Sequence, residues 1–282
     1  MNFNPPDQKI IDENIRAAIA EDIASGDVTA ALLPDYVSEG YVLCKEKCIV
    51  AGRPWFDACL KALDPNVKIH WHVNEGDTVE PVKVICTFEG SARAMVSAER
   101  SALNFLQTLS GTATVTASYA KALQGTRTRV LDTRKTLPGL RQAQKYAVRA
   151  GGGVNHRMGL YDAVMLKENH VHAAGSITAA AAQAKARFPD LPLIIEVETL
   201  TQLREALDTD CARILIDDFS LEDMRAAVEI AAGKIPLEVS GSVTFERLAE
   251  IAAAGVDYVS IGALTKHVHA IDFSMKLGKY GP

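Results

Sequence analysis

Hydrophobic positions follow two different rhythms along this chain of 282 residues. Between residues 37 and 89, apolar and polar residues alternate in short stretches separated by Gly, Pro, Asn and Asp, which is typical of strands joined by turns. The segment 91–111 instead has apolar residues at helical spacing, and Gly111 is expected to interrupt that helix. We therefore predict an α+β domain over residues 1–112.

A strand–helix alternation takes over after this domain. Short apolar runs alternate with Ala-rich helical segments, which predicts parallel strands joined by right-handed crossovers. Almost continuous apolar strands suit a sheet that is buried on both faces. A complete β/α barrel has eight strands, so six runs predict an incomplete barrel or one whose remaining strands the pattern hides. The runs are 128–132, 162–167, 193–198, 213–218, 236–241 and 257–262.

Polar or small residues stand at the end of every one of these runs. The carboxyl ends of the strands carry the active site of a β/α barrel. Because six such ends would meet at one face, we interpret them as a site rather than as a solvated surface. The residues at or just after these ends include Arg134, Lys135, Lys167, Glu196, Asp217, Ser240, Gly241, Gly262 and Ala263.

Charge is distributed unevenly along the chain. The whole sequence has a formal charge of −5, whereas residues 127–170 contain nine Lys or Arg and three acidic residues, a net +6. Such an inversion indicates either a bound anion or a solvated helix face. Arginine binds carboxylate or phosphate groups with two parallel hydrogen bonds, and the later carboxylates Glu196 and Asp217 suit Mg²⁺ held together with substrate phosphates. The pattern favours a reaction between an anionic acceptor and a pyrophosphorylated donor.

Composition excludes several other classes of protein. The sequence contains no apolar run long enough for a membrane span, and its N-terminus has no cationic start or apolar signal core. A pI of about 5.8 argues against nucleic acid as a partner. Five cysteines without a CxxC pair are expected to be reduced thiols, so we predict a cytoplasmic location.

Motifs spread over nearly the whole chain resemble the quinolinate phosphoribosyltransferase family (nicotinate-nucleotide pyrophosphorylase, carboxylating). The linked run from 132 to 170 is the most specific of them. Short motifs such as "EVE" are weak when taken alone. The matching segments are "EDIASGDVTA", "AERSALNFLQTLSGTAT", "DTRKTLPGLR", "KYAVRAGGGVNHRMGLYDAVMLKENH", "EVE", "LIDDF", "EVSG" and "SIGALTKHV".

The resemblance implies an α/β fold with two domains. Residues 1–112 would form an N-terminal α/β sandwich, residues 113–270 an open, incomplete β/α barrel, and residues 271–282 a tail that packs back on the N-terminal domain. It also implies a homodimer in which Arg100 reaches the partner's site. The expected reaction transfers phosphoribose from phosphoribosyl pyrophosphate to quinolinate with decarboxylation, which yields nicotinate mononucleotide, pyrophosphate and carbon dioxide in NAD biosynthesis.

Roles of individual residues follow from the same resemblance. Lys135, Glu196 and Asp217 would act in catalysis, with Lys135 near the phosphoribosyl pyrophosphate and the two acids on the ribose and Mg²⁺ side. Of the adjacent acidic residues, we assign this role to Glu196 instead of Glu198 and to Asp217 instead of Asp218. The role of His267 stays open because Lys266 departs from the family pattern. Arg134, His156, Arg157 and Lys167 would surround the two carboxylates of quinolinate, and Ser240, Gly241, Gly262 and Ala263 would bind the ribose 5-phosphate.

Other readings remain open at this point. Lys167 ends an apolar strand, as a Schiff-base lysine does in some barrel aldolases. The strands around 71–90 resemble a biotin or lipoyl carrier, but their turn lacks a modifiable lysine. The closest alternative function is that of a relative of the same fold. Such a relative could act on another pyridine carboxylate, such as nicotinate, or have been redirected to another metabolic role. The set Arg134, His156, Arg157 and Lys167 favours a dicarboxylate.

Overall fold

The computed structural model describes residues 4–34, 36–241 and 243–280. The strands are β1 Val37–Cys44, β2 Cys48–Ile49, β3 Lys68–Trp71, β4 Thr78–Val79, β5 Lys83–Ser91, β6 Arg129–Leu131, β7 Val164–Leu166, β8 Leu193–Val197, β9 Arg213–Asp217, β10 Leu237–Ser240, β11 Tyr258–Ser260 and β12 Phe273–Leu277. The helices are α1 Gln8–Asp22, α2 Arg53–Leu63, α3 Ala92–Ala122, α4 Arg141–Ala150, α5 Glu168–Ala174, α6 Ile177–Arg187, α7 Leu200–Leu207, α8 Leu221–Ala231, α9 Leu248–Ala253 and α10 Ala263–Lys266, with a 3₁₀ turn at Ala30–Leu32.

Two compact units make up the chain. The first contains the described residues up to Ala117, together with Thr136–Gly152 and those from Leu264 onward. The second contains Ser118–Lys135 and Gly153–Ala263. These bounds differ from the division inferred from the sequence, because α4 lies in the first unit instead of the barrel. Its apolar face contributes Tyr146, whose ring centre is 5.4 Å from that of Trp55 in the core of this unit.

The first unit is built on a four-stranded sheet in the order β12-β1-β5-β3. Every neighbouring pair in this sheet is antiparallel, including β12 against β1, where Phe273 pairs with Cys44. Alternating burial along β1 turns one face of the sheet toward a core that contains Trp55, Phe56 and Leu106. The tail expected to return to the N-terminal domain thus contains the edge strand of this sheet.

Helix α3 is longer than the sequence predicts. Gly111 was expected to interrupt it, but the helix continues through this residue to Ala122. A side chain at position 111 would clash with the backbone carbonyl of His269. Gly111 is therefore required by a close approach of two backbone segments, which outweighs the modest helix penalty of a glycine.

The second unit is a six-stranded parallel sheet in the order β6-β11-β10-β9-β8-β7. Each of the six predicted apolar runs contains one of these strands, which confirms the predicted class. One face packs Ile195, Ile214 and Val239 against helices, while the other carries a small cluster around Ile194 and Leu215. Among the described residues only an isolated bridge beyond β6 extends the sheet, so the barrel is open.

No helix in the described ranges is both long and apolar enough to cross a membrane.

Candidate active site

The second unit contains all but one of the predicted site residues, and several of them stand at the carboxyl edge of its parallel sheet. Asp217 and Ser240 end neighbouring strands and are partners in the β9–β10 register. Side chains alternate along a strand, so Glu196 and Asp217 share the sheet face of Ile194 and Leu215, away from the helices. Lys167 directly follows β7, Gly241 directly follows β10, and Gly262 and Ala263 come shortly after β11. The connection between β6 and β7 supplies Arg134, Lys135, His156 and Arg157.

Lys167 and Glu196 form an ion pair at this edge. Lys167 Nζ donates to Glu196 Oε2 at 2.5 Å, and the Glu196 side chain is only 9% exposed. A charge-assisted hydrogen bond shielded from water on one side is stronger than a surface ion pair. The contact joins the ends of β7 and β8.

Two arginines concentrate positive charge beside this pair. The pKa of Arg157 lies below its ordinary value, first because the side chain is partly buried and second because the guanidinium of Arg134 is close. Arg157 Nη1 donates to the carbonyl of Ala163 at 3.3 Å, and Nη2 contacts Met165 Sδ at 3.5 Å. Burial beside another cation makes a bound anion favourable here.

Sequence reasoning placed Asp132 at a strand end without giving it a role, and it missed Glu238; both carboxylates are buried. Asp132 Oδ1 accepts the backbone N–H of His156 at 2.8 Å, and Oδ2 accepts from Asn155 Nδ2 at 2.6 Å. Glu238 is fully buried in the middle of β10. The signal in the sequence is an acidic residue inside or directly after an apolar run, because acidic residues are almost never fully buried unless they have partners.

Glu238 is ionised in spite of its burial. Its Oε2 lies 2.9 Å from Arg213 Nη1 and 3.3 Å from His156 Nε2, while Ser260 donates to Oε1. Burial by itself raises the pKa of Glu238, but hydrogen bonds from His156, Ser260 and Arg213 bring it below the ordinary value. The hydrogen bonds and the positive charge of these partners replace the hydration that the carboxylate loses when it is buried.

Small residues at this edge permit close approach of the backbone. Gly241 has a φ of +80°, and a side chain there would clash with the carboxylate of Asp218. A Cβ at Gly262 would lie 2.8 Å from Cδ of Lys135. Loops of this kind leave backbone N–H groups accessible to an anion.

Comparison with known proteins gives the family. One family model, described as the N-terminal domain of quinolinate phosphoribosyl transferase, matches residues 27–110. A second, described as the C-terminal domain of the same enzyme, matches residues 112–276. The chain belongs to the quinolinate phosphoribosyltransferase family.

Relatives in this family are similar over almost their whole length. A nicotinate-nucleotide pyrophosphorylase (carboxylating) of Mycobacterium leprae is 39% identical over 276 residues, which cover 94% of this chain and 96% of the relative. A probable enzyme of the same name from Bacillus subtilis is 39% identical and covers 90% and 89%. The solved nicotinate-nucleotide pyrophosphorylase of Francisella tularensis matches with a TM-score of 0.95 at 42% identity, over 98% of this chain and 99% of that one. The resemblance inferred from the motifs is confirmed.

The carboxylates assigned to ribose and metal differ in their surroundings. Glu196 is engaged with Lys167, whereas the side chain of Asp217, a half-buried residue, makes no hydrogen bond or ion pair with another described residue. Glu198 is exposed and lines a cavity of about 230 Å³ with Glu196 and His172. No cluster of three or more His, Cys, Asp or Glu residues gathers as metal ligands in the described part of the chain. The choice of Glu196 and Asp217 as metal ligands stays a prediction.

Arg100 belongs to a different unit from the residues above. It lies in the first unit, exposed on the surface of α3. Its predicted place in a partner's site is untested in a single chain, and so is any role of His267, which is exposed just after α10. Both assignments stay predictions from the family resemblance.

Proposed function

We propose that this protein transfers the phosphoribosyl group of phosphoribosyl pyrophosphate to quinolinate and releases carbon dioxide, as its relatives' names state for them. One observation carries the proposal. Lys167 pairs with Glu196 at the ends of neighbouring strands, Asp217 ends the next strand, and the same unit brings Arg134 close to Arg157. A site with both charge signs suits an anionic acceptor beside a phosphorylated sugar.

The cationic side would hold the pyridine dicarboxylate. Arg157 and Arg134 lie close enough for one to lower the pKa of the other, and a carboxylate between them would relieve that repulsion. Lys167, with 44% of its side chain exposed, keeps part of its ammonium group open to a second carboxylate. Both acid groups of quinolinate would therefore have a cationic partner.

The chemistry requires positioning more than covalent catalysis. The pyridine nitrogen forms a bond to C1′ of the ribose as the bond from C1′ to the pyrophosphate oxygen breaks. Carbon dioxide then leaves from C2, whose electron pair is stabilised by the adjacent cationic nitrogen before C2 takes up a proton from solvent. Glu196 and Asp217 would hold the ribose hydroxyls and stabilise positive charge at C1′, and Lys135 would bind the leaving pyrophosphate.

The donor's phosphate would lie on the small-residue loops. Backbone N–H groups at Gly241, Gly262 and Ala263, with the hydroxyl of Ser240, are suited to the ribose 5-phosphate because these residues have little or no side chain of their own to keep an anion away. The close approach of Lys135 to Gly262 supports a neighbouring place for the pyrophosphate.

Magnesium fits the carboxylate side of this site. Mg²⁺ commonly takes one or two protein carboxylates and completes its shell with substrate phosphates and water. Asp217 is available for this purpose, and Glu196 would supply a second oxygen ligand. Bound there, the ion would offset the negative charge of the pyrophosphate leaving group.

The functional unit would be a homodimer located in the cytoplasm. An arginine exposed on α3 supports a contribution of Arg100 to the partner's site. Five free, buried cysteines support a reducing compartment.

A Schiff-base aldolase is the weaker alternative. The attacking lysine of such an enzyme must be able to reach the carbonyl of its substrate, whereas Nζ of Lys167 is engaged with Glu196 at 2.5 Å. This reading also leaves Arg134 and Arg157 without a role.

The decisive assay measures carbon dioxide release from carboxyl-labelled substrates with Mg²⁺ and phosphoribosyl pyrophosphate. We expect release from quinolinate and none from labelled nicotinate, together with one pyrophosphate for each carbon dioxide. Nicotinate turnover at a similar rate, measured as pyrophosphate release, would contradict the dicarboxylate assignment.

A further inference from the structure

Glu238 lies where no substrate can reach it. Its side chain is fully buried within β10, and its neighbours across the sheet are Leu215 and Tyr258. A buried carboxylate costs several kcal/mol of solvation. Chains retain such a group where its hydrogen bonds hold something in place, so the question is what Glu238 holds.

The contacts of His156 answer this question. The ring accepts the backbone N–H of Arg157 at Nδ1, with an N···N distance of 2.6 Å. A nitrogen that accepts a hydrogen bond carries no proton, so the single ring proton is on Nε2. Nε2 faces Glu238 Oε2 at 3.3 Å. Both ring nitrogens are therefore committed to protein groups.

We propose that Glu238 is a positioning residue of this site: it holds His156 with its proton on Nε2, so that Nδ1 fixes the backbone of Arg157. This inference rests on the proposed function, in which Arg157 grips the dicarboxylate. It also changes the role of His156. The family resemblance places this histidine among the residues around the substrate, and here it acts on the substrate through Arg157.

A second anchor on the same segment supports the assignment. Asp132 Oδ1 accepts the backbone N–H of His156 at 2.8 Å, so main chain and ring of this residue are held by two different carboxylates. The guanidinium of Arg157 then rests on the carbonyl of Ala163 and on Met165 Sδ. Contacts within the protein thus hold both the backbone and the side chain of Arg157.

Arg213 and Ser260 complete the environment of Glu238. Arg213 Nη1 lies 2.9 Å from Oε2 and neutralises the carboxylate, and its guanidinium stacks on the ring of Tyr258 at 4.5 Å. The hydroxyl of Ser260 donates a hydrogen bond to Glu238 Oε1. With both oxygens engaged, Glu238 is fixed in one orientation and can in turn fix the imidazole.

The tautomer can be measured without any assay of activity. The full-length protein labelled with ¹⁵N-histidine contains seven histidines, and loss of one signal in His156→Asn assigns His156. We expect a protonated Nε2 and a bare Nδ1 at pH 7.5. A protonated Nδ1, alone or with Nε2, would overturn the inference. This readout stands even if the protein does not turn over quinolinate.

Two replacements of His156 distinguish the roles of its two ring nitrogens. Asparagine places an oxygen near the position of Nδ1 and can still accept from Arg157, whereas glutamine reaches toward Nε2 and cannot. We expect His156→Asn to keep KM for quinolinate within about fivefold and His156→Gln to raise it about 10–100-fold, the usual value of a lost hydrogen bond to or near a charged group. Equal losses, or the smaller loss in His156→Gln, would contradict the proposal.

Glu238→Gln tests the carboxylate itself, and Glu229→Gln, the same change at an exposed position of α8, is its matched control. The first should raise KM for quinolinate about tenfold and leave KM for phosphoribosyl pyrophosphate unchanged, since it weakens a charge-assisted contact. The second should change neither constant appreciably. An unchanged KM for quinolinate in folded Glu238→Gln would contradict the inference. If this variant does not fold, the comparison of His156→Asn with His156→Gln tests the inference instead. Absence of turnover in the unsubstituted protein would count against the proposed function instead.

Discussion

Lys167 Nζ and Glu196 Oε2 meet at 2.5 Å across the ends of two neighbouring strands, β7 and β8. The pair joins the cationic side of the site to its carboxylate side. Each group therefore has a partner in the absence of substrate, and each would have to share that partner when substrate binds. Removal of either group leaves the other one without compensation.

This coupling gives the first prediction. Lys167→Met should lower kcat/KM for quinolinate by a factor that corresponds to about 2–5 kcal/mol, because a carboxylate is left unpaired in a half-buried place. Glu196→Gln should have its own large effect, and the double variant should lose less than the sum. A double-mutant cycle on kcat/KM measures the difference, which we expect at about 1–3 kcal/mol. Strict additivity would argue against the coupling.

The planar fork of Arg157 gives the second prediction. Arg157→Lys preserves the charge but loses the two parallel hydrogen bonds, so affinity for quinolinate should fall about 10–100-fold. Isothermal titration calorimetry with quinolinate alone measures the affinity directly. Arg187→Lys, on the exposed end of α6, is the matched control and should bind as the unsubstituted protein does.

Gly241 gives the third prediction, with Gly175 as its control. Both have positive φ, so alanine strains the backbone at either position by about 1 kcal/mol. A side chain at 241 would also clash with Asp218, whereas nothing lies within 4 Å of one at 175. Gly241→Ala should therefore raise KM for phosphoribosyl pyrophosphate at least about tenfold, and Gly175→Ala should not. Similar constants for both variants would remove the phosphate role of this loop.

Glu75 gives the fourth prediction, which concerns stability. Its carboxylate accepts the backbone N–H groups of Gly52 and Arg53 at the start of α2, yet burial raises its pKa to about 7, ahead of the opposing effect of those hydrogen bonds. A carboxyl group with a raised pKa in the folded state stabilises the protein at low pH. That stability is lost as the pH rises from about 4.5 through 7.

The measurement is the free energy of unfolding in urea between pH 5 and pH 8. It should decrease by up to about 3 kcal/mol over this range from Glu75 alone, since one pKa unit corresponds to about 1.4 kcal/mol. Glu75→Gln should remove this part of the slope because glutamine does not ionise. Glu80→Gln, an exposed control, should leave the slope as it was. If the free energy of unfolding depended on pH in the same way in the Glu75 and Glu80 variants, Glu75 would not titrate between pH 5 and pH 8 in the folded protein.

Subunit mixing gives the fifth prediction and tests the dimer. Arg100→Ala and Lys167→Ala should each be inactive alone. After exchange of subunits, roughly half of the dimers would be mixed and each would hold one complete site, so about a quarter of the activity should return. No recovery, when native mass spectrometry proves that subunits have exchanged, would rule out a site shared through Arg100.

The sequence determined the strands of the parallel sheet and the residues at their ends. Apolar runs and their polar ends are local features, so Asp217 and Lys167 could be placed at the carboxyl edge without coordinates. The family motifs added roles for these residues. None of this depended on which strands are neighbours.

Tertiary structure alone decided the partners of Glu238 and the place of α4. Glu238 meets Arg213 and Ser260 because β9, β10 and β11 are adjacent in one register, and it meets His156 through a loop far away in sequence. Strand order and register are set by long-range packing, which leaves no periodic trace in the chain. In the same way, the spacing of α4 shows an apolar face but does not say which core that face will cover.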